Sequence, residues 1–211
     1  MSLKDKAKDV ADNLKNEAEV IKGDRSKDKV YTSTNEFPDE VQAKREFTFA
    51  RERLFQVNDW SDIPGIGNAD FTIYDPDGSK VDNRMVAVGD FLKIDLPGPV
   101  PMYWVEVIDL KDEDDFAEFA VKPASDPTTT KDPEVVDHFF QEGARSVFRI
   151  ERKGNQLSGF EIGINEAINN QGEQAGGKAV INTVVSETGW AFFQENQWKN
   201  LTDYLVGIAK K

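Results

Sequence analysis

The 211-residue chain contains no cysteine and a single histidine, His138. The first absence removes disulfides, thiolate metal ligands and a cysteine nucleophile; the second removes any site built from several histidines. Positive charge is also scarce: 26 Lys+Arg stand against 39 Asp+Glu, a formal net charge of −13. That balance argues against nucleic acid and against anionic membrane surfaces as partners. No window approaches 18 consecutive apolar residues, so a membrane-spanning helix is not expected. Residues 1–24 alternate charges and hold no apolar run of signal-peptide length, which makes the cytoplasm the expected compartment.

Catalytic motifs are equally sparse. There is no Gly-x-Ser-x-Gly for a nucleophile elbow, and Gly65-Ile66-Gly67 lacks the third glycine of a dinucleotide loop. The acidic groups at Asp75, Asp77 and Asp82 and at Asp112–Asp115 lack the order of a calcium loop and read as solvated turns. Neither a metal nor a cofactor is therefore expected. His138 could be oriented only by Glu142, four residues on along a helix, and reads as an ordinary histidine with no catalytic role.

What the chain does have is periodicity. Leu3, Ala7, Val10, Leu14 and Ile21 recur at three- and four-residue steps, predicting an amphipathic N-terminal helix, and Gly23–Lys29 follows as a polar linker. Residues 1–30 carry 8 basic and 7 acidic side chains, leaving a net −14 on the remainder. The expected division is thus 1–28, helix and linker, and 29–211, one α+β domain. Within the domain, Val41, Ala43, Phe47 and Phe49 suggest a first strand, followed by a short helix at Leu54, Phe55 and Val57 that stops before Pro64.

Later runs alternate more cleanly. Phe71 and Ile73 precede an Asp75-Pro-Asp-Gly78 turn; Leu92, Ile94 and Leu96 share a face, as do Phe119 and Val121, and Phe148 and Ile150. Phe160, Ile162 and Ile164 form one further set, and Ile181, Thr183 and Val185 another. Residues 102–110 fit either phase, with Tyr103, Val105 and Val107 inward or with Trp104, Glu106 and Ile108 inward; the first is preferred. Lys153-Gly154-Asn155 signals a hairpin. Asp132–Phe140 suits a short helix with Asp132 as its cap. The pattern is a meandering antiparallel sheet with one wet face.

The strongest helical signal is at the C-terminus. Trp190, Phe193, Trp198, Leu201, Tyr204, Leu205 and Ile208 fall within about 140° of one another at 100° per residue. Gln194 and Gln197 lie inside that sector, where an amide needs partners or costs about 1–3 kcal/mol. If they are polar handles of a cavity, replacing either by Leu should leave stability unchanged or higher.

This order of elements, with Phe47–Pro64 (FTFARERLFQVNDWSDIP) and Trp198-Lys199 near Leu201 and Leu205 as its local matches, resembles the START/Bet v 1-like helix-grip (SRPBCC) superfamily. The resemblance covers about residues 40–209. It implies a curved antiparallel sheet gripping the long C-terminal helix, to which this chain adds its N-terminal helix. A lipocalin-like closed barrel, with the last helix outside as a lid, is the structural rival. Eight candidate strands, against seven in the family, and the connection at 124–144 depart from the pattern.

In function the resemblance implies a binding protein for a hydrophobic or amphipathic small molecule held between sheet and C-terminal helix. The candidate contacts are Gln194, Gln197, Phe193, Trp190, Tyr103, Phe119, Phe148 and Phe160. An enzyme of the same superfamily is a sub-case. The alternative is a ligand-free interaction or structural protein that uses its N-terminal helix for a partner or for self-association.

Overall fold

The computed structural model describes residues 27–64, 69–96, 102–129, 143–166 and 190–209. Eight described strands form one antiparallel sheet: β1 (Lys27–Glu36), β2 (Asp70–Tyr74), β3 (Lys80–Val81), β4 (Phe91–Asp95), β5 (Tyr103–Asp112), β6 (Phe116–Pro123), β7 (Arg145–Lys153) and β8 (Gln156–Glu166). Their spatial order is β1-β8-β7-β6-β5-β4-β2-β3. Among these strands β1 and β3 are the two edges and do not pair, so the sheet is open and curved, not a closed barrel.

Helix α1 (Glu40–Phe55) and helix α2 (Trp190–Leu205) lie against the same, concave face. Phe55 of α1 sits 6.5 Å from Phe119 of β6 between ring centroids, and Trp198 of α2 sits 5.7 Å from Phe148 of β7. This is the helix-grip arrangement expected from the sequence.

The first strand is not at 41–49. That segment belongs to α1, whose buried residues Ala43, Phe47, Ala50, Leu54 and Phe55 follow the helical and not the two-residue period. Val41 and Phe49, expected inward, are 81% and 45% exposed. Asp39 caps the helix by accepting from Gln42 N at 2.8 Å, and a 3-10 turn at Val57–Asp62 continues it to buried Trp60. The real first strand, Lys27–Glu36, starts at the end of the expected linker and runs through residues to which the sequence assigned no element. Its inward residues are largely polar, because they bond to α2: Ser33 Oγ lies 2.8 Å from Thr202 Oγ1, and Asn35 donates to the Val206 carbonyl at 3.0 Å.

The central strands follow the predicted alternation. Phe71, Ile73, Leu92, Tyr103, Val107, Phe119, Val121, Phe148 and Ile150 are all buried. Cross-strand pairs Ile73↔Leu92, Leu92↔Val105 and Ile94↔Tyr103 place Tyr103, Val105 and Val107 on the concave face. Glu106 therefore points outward, to Lys122 at 2.8 Å. A register shift between Val107 and Asp109 brings Leu110 opposite Phe119, keeping both inward and bending the strand. The β7–β8 hairpin turns at Gly154-Asn155 as anticipated, with Gly154 at φ +61°.

Strand β8 has the opposite phase from that expected. Phe148 pairs with Glu161 and Arg149 with Phe160, so Leu157, Gly159 and Glu161 face inward while Phe160 is convex. The physical reason is the closeness of α2. A Cβ on Gly159 would meet Val206 Cγ1 at 3.1 Å and the Thr202 carbonyl oxygen at 3.2 Å, leaving no room for a larger inward side chain there. The N-terminal helix, the 132–140 helix with His138, and the 181–185 strand lie outside the described residues.

Candidate functional site

The concave face carries an aromatic cluster at its centre. Trp60 stacks on Phe119 at 5.9 Å and meets Phe71 and Phe148 edge-on at 5.4 and 4.9 Å. Phe119 and Phe148 are cross-strand neighbours 5.1 Å apart, and Trp198 closes over Phe148 with its ring plane inclined by 62°. Such pairs favour tilted and edge-to-face geometry because the ring quadrupoles oppose a face-to-face sandwich.

Beside this cluster lies a cavity of about 60 Å³. Phe71, Leu92, Ile94, Val105, Phe148 and Trp198 form much of its wall, which is almost wholly apolar. Lys122, Arg145 and Ser146 also line it. The cation of Lys122 is held on the convex face by Glu106, and Arg145 Nη1 donates to the Ala144 carbonyl at 2.7 Å. The cavity can therefore take an apolar guest but offers little to a charged one.

Three sets of bonds fix α2 over this space. Gln197, only 3% exposed, accepts from Ala69 N at 2.8 Å through Oε1, tying the helix to the start of β2. Ser33, Thr202 and Lys199 form a polar knot against β1, with Lys199 Nζ 3.1 Å from Ser33 Oγ. Arg53 of α1 donates to the Leu205 carbonyl at 3.1 Å, capping the last turn, and burial lowers its pKa from the usual arginine range.

Of the residues singled out in the sequence, Phe119 and Phe148 stand together in the cluster, with Phe148 alone of the pair on the cavity wall. Tyr103 is buried on the same face, and burial raises its phenol above the ordinary value. Gln197 points inward, but a backbone amide takes its oxygen. Phe160 is not brought to the site; it pairs with Arg149 on the convex side. The backbone of α2 includes Trp190, Phe193 and Gln194, whose side chains lie outside the described set.

Two features escaped sequence reading. Trp198 was read as one apolar residue among several, yet it forms the cavity roof. Glu161 is fully buried on the concave face, paired across the ladders with Tyr31 and Phe148. Its signal was available: Gly159 and Gly163 flank it at two-residue steps, marking the face that another element approaches closely.

No family model matches the chain, and no curated protein matches it. Solved structures do. A hypothetical protein of Helicobacter pylori aligns with TM-score 0.53 and 13% identity, covering 92% of this chain and 94% of that one. That likeness shows a shared fold. A ginseng major latex-like protein from Panax ginseng aligns at TM-score 0.38 and 12% identity, over 80% of this chain and 97% of that one. A Thalictrum norcoclaurine synthase point mutant, solved with a transition state analogue, aligns at 0.39 and 10%, over 87% and 97%.

Proposed function

We propose that the protein binds a small apolar or amphipathic molecule between the concave face of its sheet and α2, as a member of the START/Bet v 1-like superfamily. The observation that carries this reading is the apolar cavity left between Phe71, Leu92, Ile94, Val105, Phe148 and Trp198. Its position supports the reading as well: it lies under the gripped helix, where sheet and helix meet around aromatic walls. At about 60 Å³ it is well below the roughly 300–1,000 Å³ of sites for drug-sized ligands. The guest that fits this conformation has only a few heavy atoms, and a longer one requires Trp198 of α2 to move away from Phe148 of β7. No group at the site is assigned a catalytic role.

Native mass spectrometry of the protein as purified, with thermal unfolding in the presence of toluene and of 1-pentanol, tests the proposal. The expected result is a mass adduct released on denaturation, or a rise in Tm with one of the two probes. Bare protein with an unmoved Tm would overturn it, and the oligomeric state read in the same spectrum would then bear on the interaction-protein alternative.

A further inference from the structure

We infer that the Ser146 hydroxyl is the polar handle of the cavity, so that the preferred guest is a short-chain alcohol or ketone whose oxygen bonds Ser146 while its apolar end lies against Phe148 and Trp198. This rests on the binding reading above and adds the chemistry of the ligand to it. Ser146 lines the cavity near the start of β7. Alternation along the strand puts it on the concave face with Phe148 and Ile150, both buried there. Its cross-strand partner on β6 is Val121, another residue of the cavity wall. The side chain therefore points to the space that the wall surrounds.

The hydroxyl is also available. It makes no hydrogen bond among the described residues, and unlike Trp198 Nε1 its oxygen is not sealed within the packing. Lys122 and Arg145 occupy the alternate, convex phase, where Glu106 holds the first and the Ala144 carbonyl accepts from the second. Gln197 gives its oxygen to Ala69 N. Phe148 stands two residues farther along the concave face, roughly 7 Å from Ser146. A guest lying along β7 thus meets a hydroxyl at one end and the Phe148 and Trp198 rings at the other. A hydroxyl both donates and accepts, so it suits an alcohol or carbonyl oxygen. A carboxylate would be desolvated against this wall while its two cations face the convex side, which favours a neutral oxygen.

The test uses 1-butanol and 1-chlorobutane, in which chlorine replaces the hydroxyl and forms no comparable hydrogen bond. Each is titrated into methyl-labelled protein, with the signals of Leu92, Ile94 and Val105 reporting occupancy. The affinity ratio of 1-butanol to 1-chlorobutane should fall roughly three- to tenfold in Ser146→Ala, the worth of one hydrogen bond. Ser146→Thr keeps the hydroxyl on a strand-favouring side chain and should restore the ratio. Because the hydroxyl bonds no described residue, the Ala variant is expected to keep its fold and its Tm. Nuclear Overhauser contacts of the bound alcohol should join its terminal methyl to the Trp198 ring and its hydroxyl-bearing carbon to Ser146.

An unchanged ratio in Ser146→Ala with both probes still bound would overturn the role of the hydroxyl and leave the binding reading standing. The reverse orientation of the bound alcohol would overturn it equally. Binding of neither probe would remove both the handle and the binding reading.

Discussion

Glu118 and Glu161 are carboxylates on the same sheet, and their surroundings differ because strand phase sends one to each face. Glu118 is convex: it accepts from Lys111 Nζ at 2.7 Å and from Arg149 Nε at 2.8 Å, while Arg149 also lies over the Phe116 ring at 5.1 Å. Burial alone would raise its pKa, and the two cationic donors outweigh that and hold it below the usual glutamate range. A carboxylate with a depressed folded pKa adds stability above its unfolded value, near 4.3, and loses it as pH falls through the folded value. Glu118→Gln should therefore lessen the loss of stability between roughly pH 5 and pH 3 relative to wild type, as measured by urea unfolding at both ends. Identical slopes would show that the ion triad is not formed in solution. Gly159 offers a second residue-scale test. A methyl there would press on Val206 and on the Thr202 carbonyl, so Gly159→Ala should cost about 1–3 kcal/mol by pushing α2 off the sheet. A neutral result would mean that the helix does not approach so closely.

At the scale of elements, α2 is held by packing and by specific bonds in comparable measure. Leu201 is fully buried, and Leu201→Ala should destabilise by about 2–5 kcal/mol. Gln197→Leu reverses the sequence-based expectation: with its oxygen gone, the buried Ala69 N–H loses its acceptor, and the variant should lose about 1–3 kcal/mol instead of holding its stability. Chemical denaturation of both variants checks the two values, and a stabilised Gln197→Leu would show that the tether is not made. The central strands were legible because each buries one clean apolar set, and the later part of α2 because Leu201, Tyr204 and Leu205 are buried, although Ile208, expected on the same face, is 52% exposed. Strand β1 was not, since Ser33 and Asn35 replace apolar residues where the neighbouring element is a helix offering hydroxyl and carbonyl partners. Residues 41–49 read as a strand because Val41 and Phe49, both exposed, supplied a false two-residue period over the true Ala43, Phe47, Ala50, Leu54 spacing. In β8 three apolar residues on the convex face outvoted Leu157, Gly159 and Glu161, since proximity to a distant helix leaves only glycine as its mark. The cavity itself needed the cross-strand register, because its walls come from β2, β4, β5, β6, β7 and α2.

For the whole molecule, the sheet and both described helices share one hydrophobic cluster running from Phe47 and Leu54 through Trp60 and Phe119 to Leu201 and Leu205. Among the described residues no helix is long and apolar enough to cross a membrane. Since the apolar stripe of the N-terminal segment is thin and a polar linker follows it, a chain lacking residues 1–26 is expected to unfold cooperatively with an unchanged midpoint in thermal denaturation. A broad or absent transition would place the N-terminal segment in the core. The central claim is that the sheet and Trp198 of α2 border an apolar space able to hold a guest, and xenon is the probe that asks this with the fewest assumptions, because it enters apolar cavities without needing polar contacts. A crystal pressurised with xenon should show an atom bounded by Phe71, Leu92, Phe148 and Trp198. Side chains filling that position, with no xenon bound there, would contradict the account.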